Sequence, residues 1–309
     1  MFRSVGNINK HFKPNFFIPG AAKSGTTTLH DLLNTHPQIS MSTNKEPVYW
    51  NNKSFEKYDN FEKNRYANLF DENANIKGES TTSYMYYDNF IKNVKNNYDK
   101  SPKFIFILRN PIDRYISHFW WIKGLGLEKN NIKDVIKKGI QTDFTEYDYY
   151  PKHYFQFGLY SKWIQRFIDN FGLENIKIIT LERLISNRLD TVNSCFDFLG
   201  LKKLESIQEK SSNKTTRIKY SCMYHFVRKS SIGKMNYTKI GKIFLSKKSI
   251  HKIKNKLKEI IINWKTEEFK YEPLQSEYRN YLKDAGYNSD VEKLKDIFDY
   301  SFEEWKDFN

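Results

Sequence analysis

Only two cysteines, Cys195 and Cys222, occur in 309 residues. Neither sits in a CxxC pair or at a Cys/His spacing, which argues against a zinc site and a disulfide scaffold and suits a reducing compartment. No apolar run approaches the length of a membrane span, about 18 residues or more. The opening MFRSVGNINKHFKPNFF also lacks the apolar centre of a secretory leader. A soluble, cytoplasmic chain with no membrane span is therefore expected. Glycine (13) and proline (8) are few, and no repeat, low-complexity linker or Pro-rich hinge is found. One domain over 1–309 is expected, with a motif-bearing core at about 15–200 and a basic, then helical, region at about 201–309, long enough to need no disulfides.

Acidic residues are the other shortage, with 36 Asp and Glu against 51 Lys and Arg, a formal charge of +15. Between Lys202 and Lys258 there are 17 basic residues and two acids, Glu205 and Glu209, so this segment equals the whole excess. A charge run is usually a solvated face. The functional alternative is a basic wall facing a polyanionic ligand. A phosphate-tracking nucleic-acid surface would carry a reading motif, and none is recognisable, so no specific nucleic acid is expected as a partner.

What is present alternates between strand and helix. Strands are predicted at Asn15–Pro19, Gln38–Ser42, Ile76–Glu79, Phe104–Leu108 and Ile176–Thr180. Helical patterns lie at Thr26–Asn34, Phe157–Asn170 and Leu189–Leu199, the last closed by Gly200. This order predicts an α/β fold with a central parallel sheet flanked by helices. Beyond it, Ser206–Tyr237 reads as a long polar loop, and Ile250–Trp264, Gln275–Ala285 and Val291–Ser301 read as helices of a helical C-terminal part.

Two segments carry the chemistry. In FFIPGAAKSGTTTL, Phe16 to Leu29, an apolar strand enters a Gly-bounded loop and then a helix. Backbone N–H groups and the positive helix end can hold an anion there. The spacing is close to a Walker A loop, but the lysine stands at Lys23 and Thr26 occupies its usual place. The second segment, KFIFILRNPIDRYISHF from Lys103, ends a buried strand on Arg109. Pro111 and Asp113 suit the first turn of the next helix, which carries Ser117 about two turns in.

Lys23-Ser24-Gly25-Thr26-Thr27 resembles the 5′-phosphosulfate loop of sulfotransferases that use 3′-phosphoadenosine-5′-phosphosulfate (PAPS). Arg109 and Ser117 resemble the pair that binds the 3′-phosphate of PAPS in the same family, where an Arg can grip phosphate through parallel donors. The two motifs lie in the family's order, roughly 80 residues apart as parallel crossovers require. The resemblance implies a P-loop-like fold that binds PAPS as co-substrate and releases adenosine 3′,5′-bisphosphate, with no metal. Lys23 would neutralise charge on the bridging oxygen. Ser24, Gly25, Thr26, Thr27 and Thr28 would surround the same anion, and Arg217, in the basic loop, would add a second 3′-phosphate contact.

Lys45 to Trp50, KEPVYW, resembles a segment of carbohydrate sulfotransferases whose Glu is the catalytic base. Glu46 would then take the proton of an acceptor hydroxyl, the acceptor being a glycan. Its structural alternative is a carboxylate at a helix start. Two departures matter: some heparan sulfate enzymes carry a His where this chain has Val48, and Glu79 to Tyr84 lacks the Lys of their Glu-Lys-[ST]-Pro-x-Tyr segment, resembling instead the bacterial-type form. His36 reads as a helix C-terminal cap and His118 as a packed imidazole. The aromatics Phe119, Trp120 and Trp121 read as core, with stacking on adenine the alternative. The rival functions are a P-loop kinase or NTPase, disfavoured by Thr26 and by the lack of a strand-Asp segment for Mg²⁺, and a basic nucleic-acid-binding protein.

Overall fold

A computed structural model describes residues 11–140, 151–207, 216–218, 266–268 and 273–309. Two compact units emerge, one of Met1–Ser117, Ile136–Asn213 and Leu274–Asn309, the other of His118–Val135 and Lys214–Pro273.

The first unit is built on five parallel strands, β1 Phe16–Ile18, β2 Ile39–Met41, β3 Ile76–Ser80, β4 Lys103–Leu108 and β5 Ile176–Thr180, in the order β2-β3-β1-β4-β5. Each predicted strand is present within a residue or two. The helices are α1 Thr26–Leu33, α2 Asn60–Ala67, α3 Asp88–Asn97, α4 Pro111–Gly124, α5 Ile132–Gly139, α6 Tyr160–Phe171, α7 Leu181–Ser186 and α8 Arg188–Phe198. Alternation along β1 and β4 divides the core. Phe16, Ile18, Ile105 and Ile107 join Leu29, Leu32 and Leu33 of α1 with Val192, Cys195 and Phe196 of α8. Phe17 and Phe104 face the other way, 5.2 Å from Phe90 of α3 and 5.2 Å from Phe167 of α6 respectively. Both faces are thus covered, which is why these strands read as continuous apolar runs rather than alternating ones.

The chain ends in α9 Ser276–Leu282 and α10 Asn288–Phe298. The predicted helix Gln275–Ala285 is present as α9 continued by a π turn, Lys283–Tyr287, and Gly286, at φ 149, breaks the helical path just beyond its predicted end. That break starts the following helix three residues sooner than its apolar pattern suggested. In the second unit, β6 Thr216–Ile218 pairs antiparallel with β7 Thr266–Glu268. A strand therefore lies inside the segment read as a loop, where β-branched Thr216 and Ile218 favour extended backbone. The predicted helix Ile250–Trp264 lies outside the described residues, as does most of Lys202 to Lys258.

Of the aromatics after Ser117, Phe119 is buried but Trp121 is 36% exposed. The core expectation therefore fails at Trp121. At successive positions of one helix, Phe119, Trp120 and Trp121 point in different directions, so one face cannot bury all three. His118 is buried, with its ring 6.0 Å from that of Trp121, which fits a packed imidazole. Among the described residues no helix is long and apolar enough to cross a membrane, and no group of three or more His, Cys, Asp or Glu is placed to hold a metal ion.

Candidate active site

The loop after β1 is stitched to the end of β4: Ala21 N donates to Ile107 O at 2.8 Å, and Ile107 N to Gly20 O at 3.0 Å. Within it Lys23 takes φ 69 and Gly25 φ 93. At Gly25 a Cβ would also meet Leu181 Cδ1 at 2.7 Å, so both conformation and space call for glycine. Gly25 is the N-cap of α1 and supplies no side-chain cap, which leaves the first N–H groups of the helix, including those of Thr26, Thr27 and Thr28, for an anion. Ser24 is fully buried and Thr26 nearly so, whereas Thr27 and Thr28 are partly open.

Four cations share this edge of the sheet. Lys23 is pushed down to about 8, first by burial and then by the charges of Arg109, Lys45 and Arg114. Such crowding of positive charge raises a protein's energy unless an anion relieves it. Together with the uncapped helix end it suits a phosphosulfate. These residues fit that group: Lys23 and the first turn of α1 would hold it, and Arg109 would take the 3′-phosphate. Ser117 lies nearly buried on α4, about 9 Å along the axis from the helix start. Arg217 is in β6 of the second unit, in register with Glu267.

Arg109 is positioned from several directions. Its carbonyl accepts from Tyr160 Oη at 2.8 Å. The next residue, Asn110, caps α4 through Oδ1, which accepts from Ile112 N at 3.0 Å. Asn110 N donates to Glu182 Oε1 at 2.9 Å, and its Nδ2 to Asp307 Oδ2 at 2.7 Å. Arg279 bridges Asp307 to Asp113, with Nε to Asp307 Oδ1 at 2.8 Å and Nη1 to Asp113 Oδ1 at 3.0 Å. Tyr160 is fully buried, and burial raises its phenol.

Glu46 lies beyond β2 with φ 58, and its N–H donates to Ser80 O at 3.0 Å at the end of β3. One carboxylate oxygen accepts from Thr82 N at 2.9 Å and the other from Lys45 Nζ at 2.7 Å. These contacts give Glu46 a structural role. It satisfies the start of the short 3₁₀ turn Thr82–Met85, and it remains 37% exposed with lone pairs to spare for a hydroxyl. Lys45 is the link, hydrogen-bonded to Glu46 while its charge reaches Lys23.

Lys45, Arg114, Tyr160, Glu182, Arg279 and Asp307 were not singled out from sequence, and neither was His30 of α1. His30 is pushed down to about 4, chiefly by burial and then by Lys45, so it is neutral near pH 7. Lys45 alone carried a signal, as the neighbour of Glu46 in KEPVYW. His36 is a structural residue: Nε2 meets Lys202 O at 3.1 Å and Nδ1 accepts from Gln38 N at 3.2 Å.

The sulfotransferase domain family matches residues 13–297. The chain belongs to the sulfotransferases. Mouse carbohydrate sulfotransferase 15 is 25% identical over 273 residues, covering 67% of this chain and 49% of that protein. Human heparan sulfate glucosamine 3-O-sulfotransferase 3B1 is 24% identical over 202 residues, 65% of this chain and 50% of that protein. The chain thus spans about half the length of these curated relatives. In fold it resembles the crystal structure of a sulfotransferase from Alicyclobacillus acidocaldarius, with a TM-score of 0.65, 20% identity and coverage of 96% and 99% of the two chains. Family membership displaces the kinase alternative.

Proposed function

We propose that this sulfotransferase moves a sulfuryl group from PAPS to a hydroxyl of a carbohydrate, with Glu46 as the base. The observation that supports this reading is the hydrogen bond of Lys45 to Glu46, with the charge of Lys45 in turn bearing on Lys23. PAPS supplies an activated sulfuryl group on a phosphate leaving group. Glu46 takes the acceptor proton as its oxygen approaches sulfur. Lys23 and the N–H groups opening α1 meet negative charge as it grows on the departing phosphate oxygen, and they are already oriented to do so. Arg109 and Ser117 anchor the nucleotide through its 3′-phosphate. The carbohydrate acceptor is favoured by the resemblance of KEPVYW, with Glu46, to the base segment of carbohydrate sulfotransferases.

Transfer of labelled sulfate from PAPS to heparan sulfate, chondroitin, simple sugars, phenols and tyrosine peptides tests the acceptor class. Labelling of glycans is expected; labelling confined to phenols or peptides overturns the carbohydrate reading. In the same assay Glu46→Gln should lose roughly 10²- to 10⁴-fold in turnover and keep its affinity for adenosine 3′,5′-bisphosphate. Near-normal turnover with chemistry rate-limiting would make Glu46 structural and direct the search for a base to His118.

A further inference from the structure

A carboxylate outside the phosphate site stands at the centre of a closed hydrogen-bond network. Glu79, at the end of β3, is fully buried. Thr81 Oγ1 donates to its Oε1 at 2.6 Å and Tyr66 Oη to its Oε2, and Tyr84 is a third hydroxyl partner. Both tyrosines also hold Trp50: its indole Nε1 donates to Tyr66 Oη at 3.0 Å, and its backbone N donates to Tyr84 Oη at 3.0 Å. Trp50 ends the KEPVYW segment that carries Glu46. From the other direction, the residues following Glu79 hold Glu46 itself, Ser80 through its carbonyl and Thr82 through N–H and hydroxyl. One buried side chain therefore ties together both supports of the base.

We propose that Glu79 is a positioning residue, whose ionised carboxylate locks the Lys45–Trp50 segment and so holds Glu46 in its working geometry. This rests on the reading of Glu46 as the base. A carboxylate only accepts, which matches three hydroxyl donors; a protonated carboxyl must donate, and one hydroxyl would have to turn away. The groups facing it are Tyr66 from α2, Tyr84 from the 3₁₀ turn, Tyr98 after α3 and, more distantly, Glu46. Burial raises Glu79 to about 7 against the opposing hydrogen bonds from Thr81, Tyr66 and Tyr84, so the lock opens as the pH falls through neutrality.

Glu79→Gln tests this with the best acceptor from the panel above. Affinity for adenosine 3′,5′-bisphosphate and KM for PAPS should stay within about twofold, while kcat falls roughly tenfold to 10²-fold, the size of effect that misplacing a reacting group produces. The wild-type fall in kcat between pH 8 and 6 should lose its component near pH 7, and a carboxyl infrared band titrating near pH 7 should vanish with it. Unchanged kcat and pH profile overturn the proposal, as does an equal loss of nucleotide affinity, which would mark general damage. If the variant does not fold, Thr81→Val and Tyr66→Phe each delete one donor; a lower kcat with the pH limb moved upward supports the lock, and wild-type behaviour in both refutes it. Failure of the underlying reading looks different: Glu46→Gln would then keep full turnover, and the positioning role would fall with it while the infrared titration persisted.

Discussion

The two sides of the proposed phosphate site are built in different ways. The Lys23 side is mostly local: residues 20–28 supply the turn, the left-handed positions, the uncapped helix start and the cation within one short stretch, and the end of β4 pins its entry. The Arg109 side is assembled from afar, by Tyr160, Glu182, Arg279 and Asp307, up to 197 residues distant in sequence. A loop made by its own backbone conformation is specified by its residue types. A turn held by partners elsewhere depends on the whole fold having formed.

The largest effect should come from the local side. Lys23→Ala removes the charge set against the departing oxygen, and turnover is expected to fall roughly 10²- to 10³-fold with weaker nucleotide binding. Single-turnover kinetics measure it, and near-normal rates would take Lys23 out of the chemistry. Arg109→Ala should act mainly on binding, since a hydrogen bond to a charged group contributes roughly 1.5 to 3 kcal/mol. Calorimetry with adenosine 3′,5′-bisphosphate should show that loss, whereas affinity for ADP, which has no 3′-phosphate, should change little. Equal losses for the two nucleotides would remove the 3′-phosphate assignment.

The contrast also explains what was legible in the sequence. Strands β1 and β4 were readable because burial on both faces leaves apolar runs, and α1 because Leu29, Leu32 and Leu33 share a face. Lys23, Gly25, Arg109 and Glu46 stood out because motif order and spacing are one-dimensional. Lys45 and Arg114 did not, since a lysine or arginine announces itself as part of a charge cluster only when folding brings several cations to one place. Glu79 was legible as part of a segment and illegible as a buried carboxylate, because its donors Tyr66, Thr81 and Tyr84 come from two different elements. Asp307 and Arg279 lie in the C-terminal third, where the resemblance was loose.

A pH titration sharpens the local side. Lys23 is pushed down to about 8 in the free protein, and its ammonium form is the one that holds an anion. Below pH 8 affinity for adenosine 3′,5′-bisphosphate should be flat with respect to this group. Above pH 8, binding must take up a proton, so affinity should fall by up to about tenfold per pH unit. Calorimetry in buffers of different ionisation enthalpy reads the proton directly. Persistence of the uptake in Lys23→Ala would assign it to another group.

The smallest expected effect tests the distant side. Burial pushes Asp307 up, but its hydrogen bonds to Arg279 and Asn110 outweigh this and hold its carboxyl below the ordinary value, so it is ionised throughout the neutral range. Asp307→Asn keeps the shape and removes the charge that faces Arg279. Asp113 still partners Arg279, so the turn at Asn110 should loosen rather than collapse. Residues that act on a site through intervening contacts typically change coupling by about 0.5 to 2 kcal/mol, and the low end, a two- to fivefold loss of nucleotide affinity, is expected here. The decisive measurement is the double mutant. If Asp307 works through Arg109, Asp307→Asn should cost almost nothing once Arg109 is already alanine. If the same loss persists in that background, Asp307 acts on the site by another route, and the view of the Arg109 turn as a structure held from a distance fails at its farthest support.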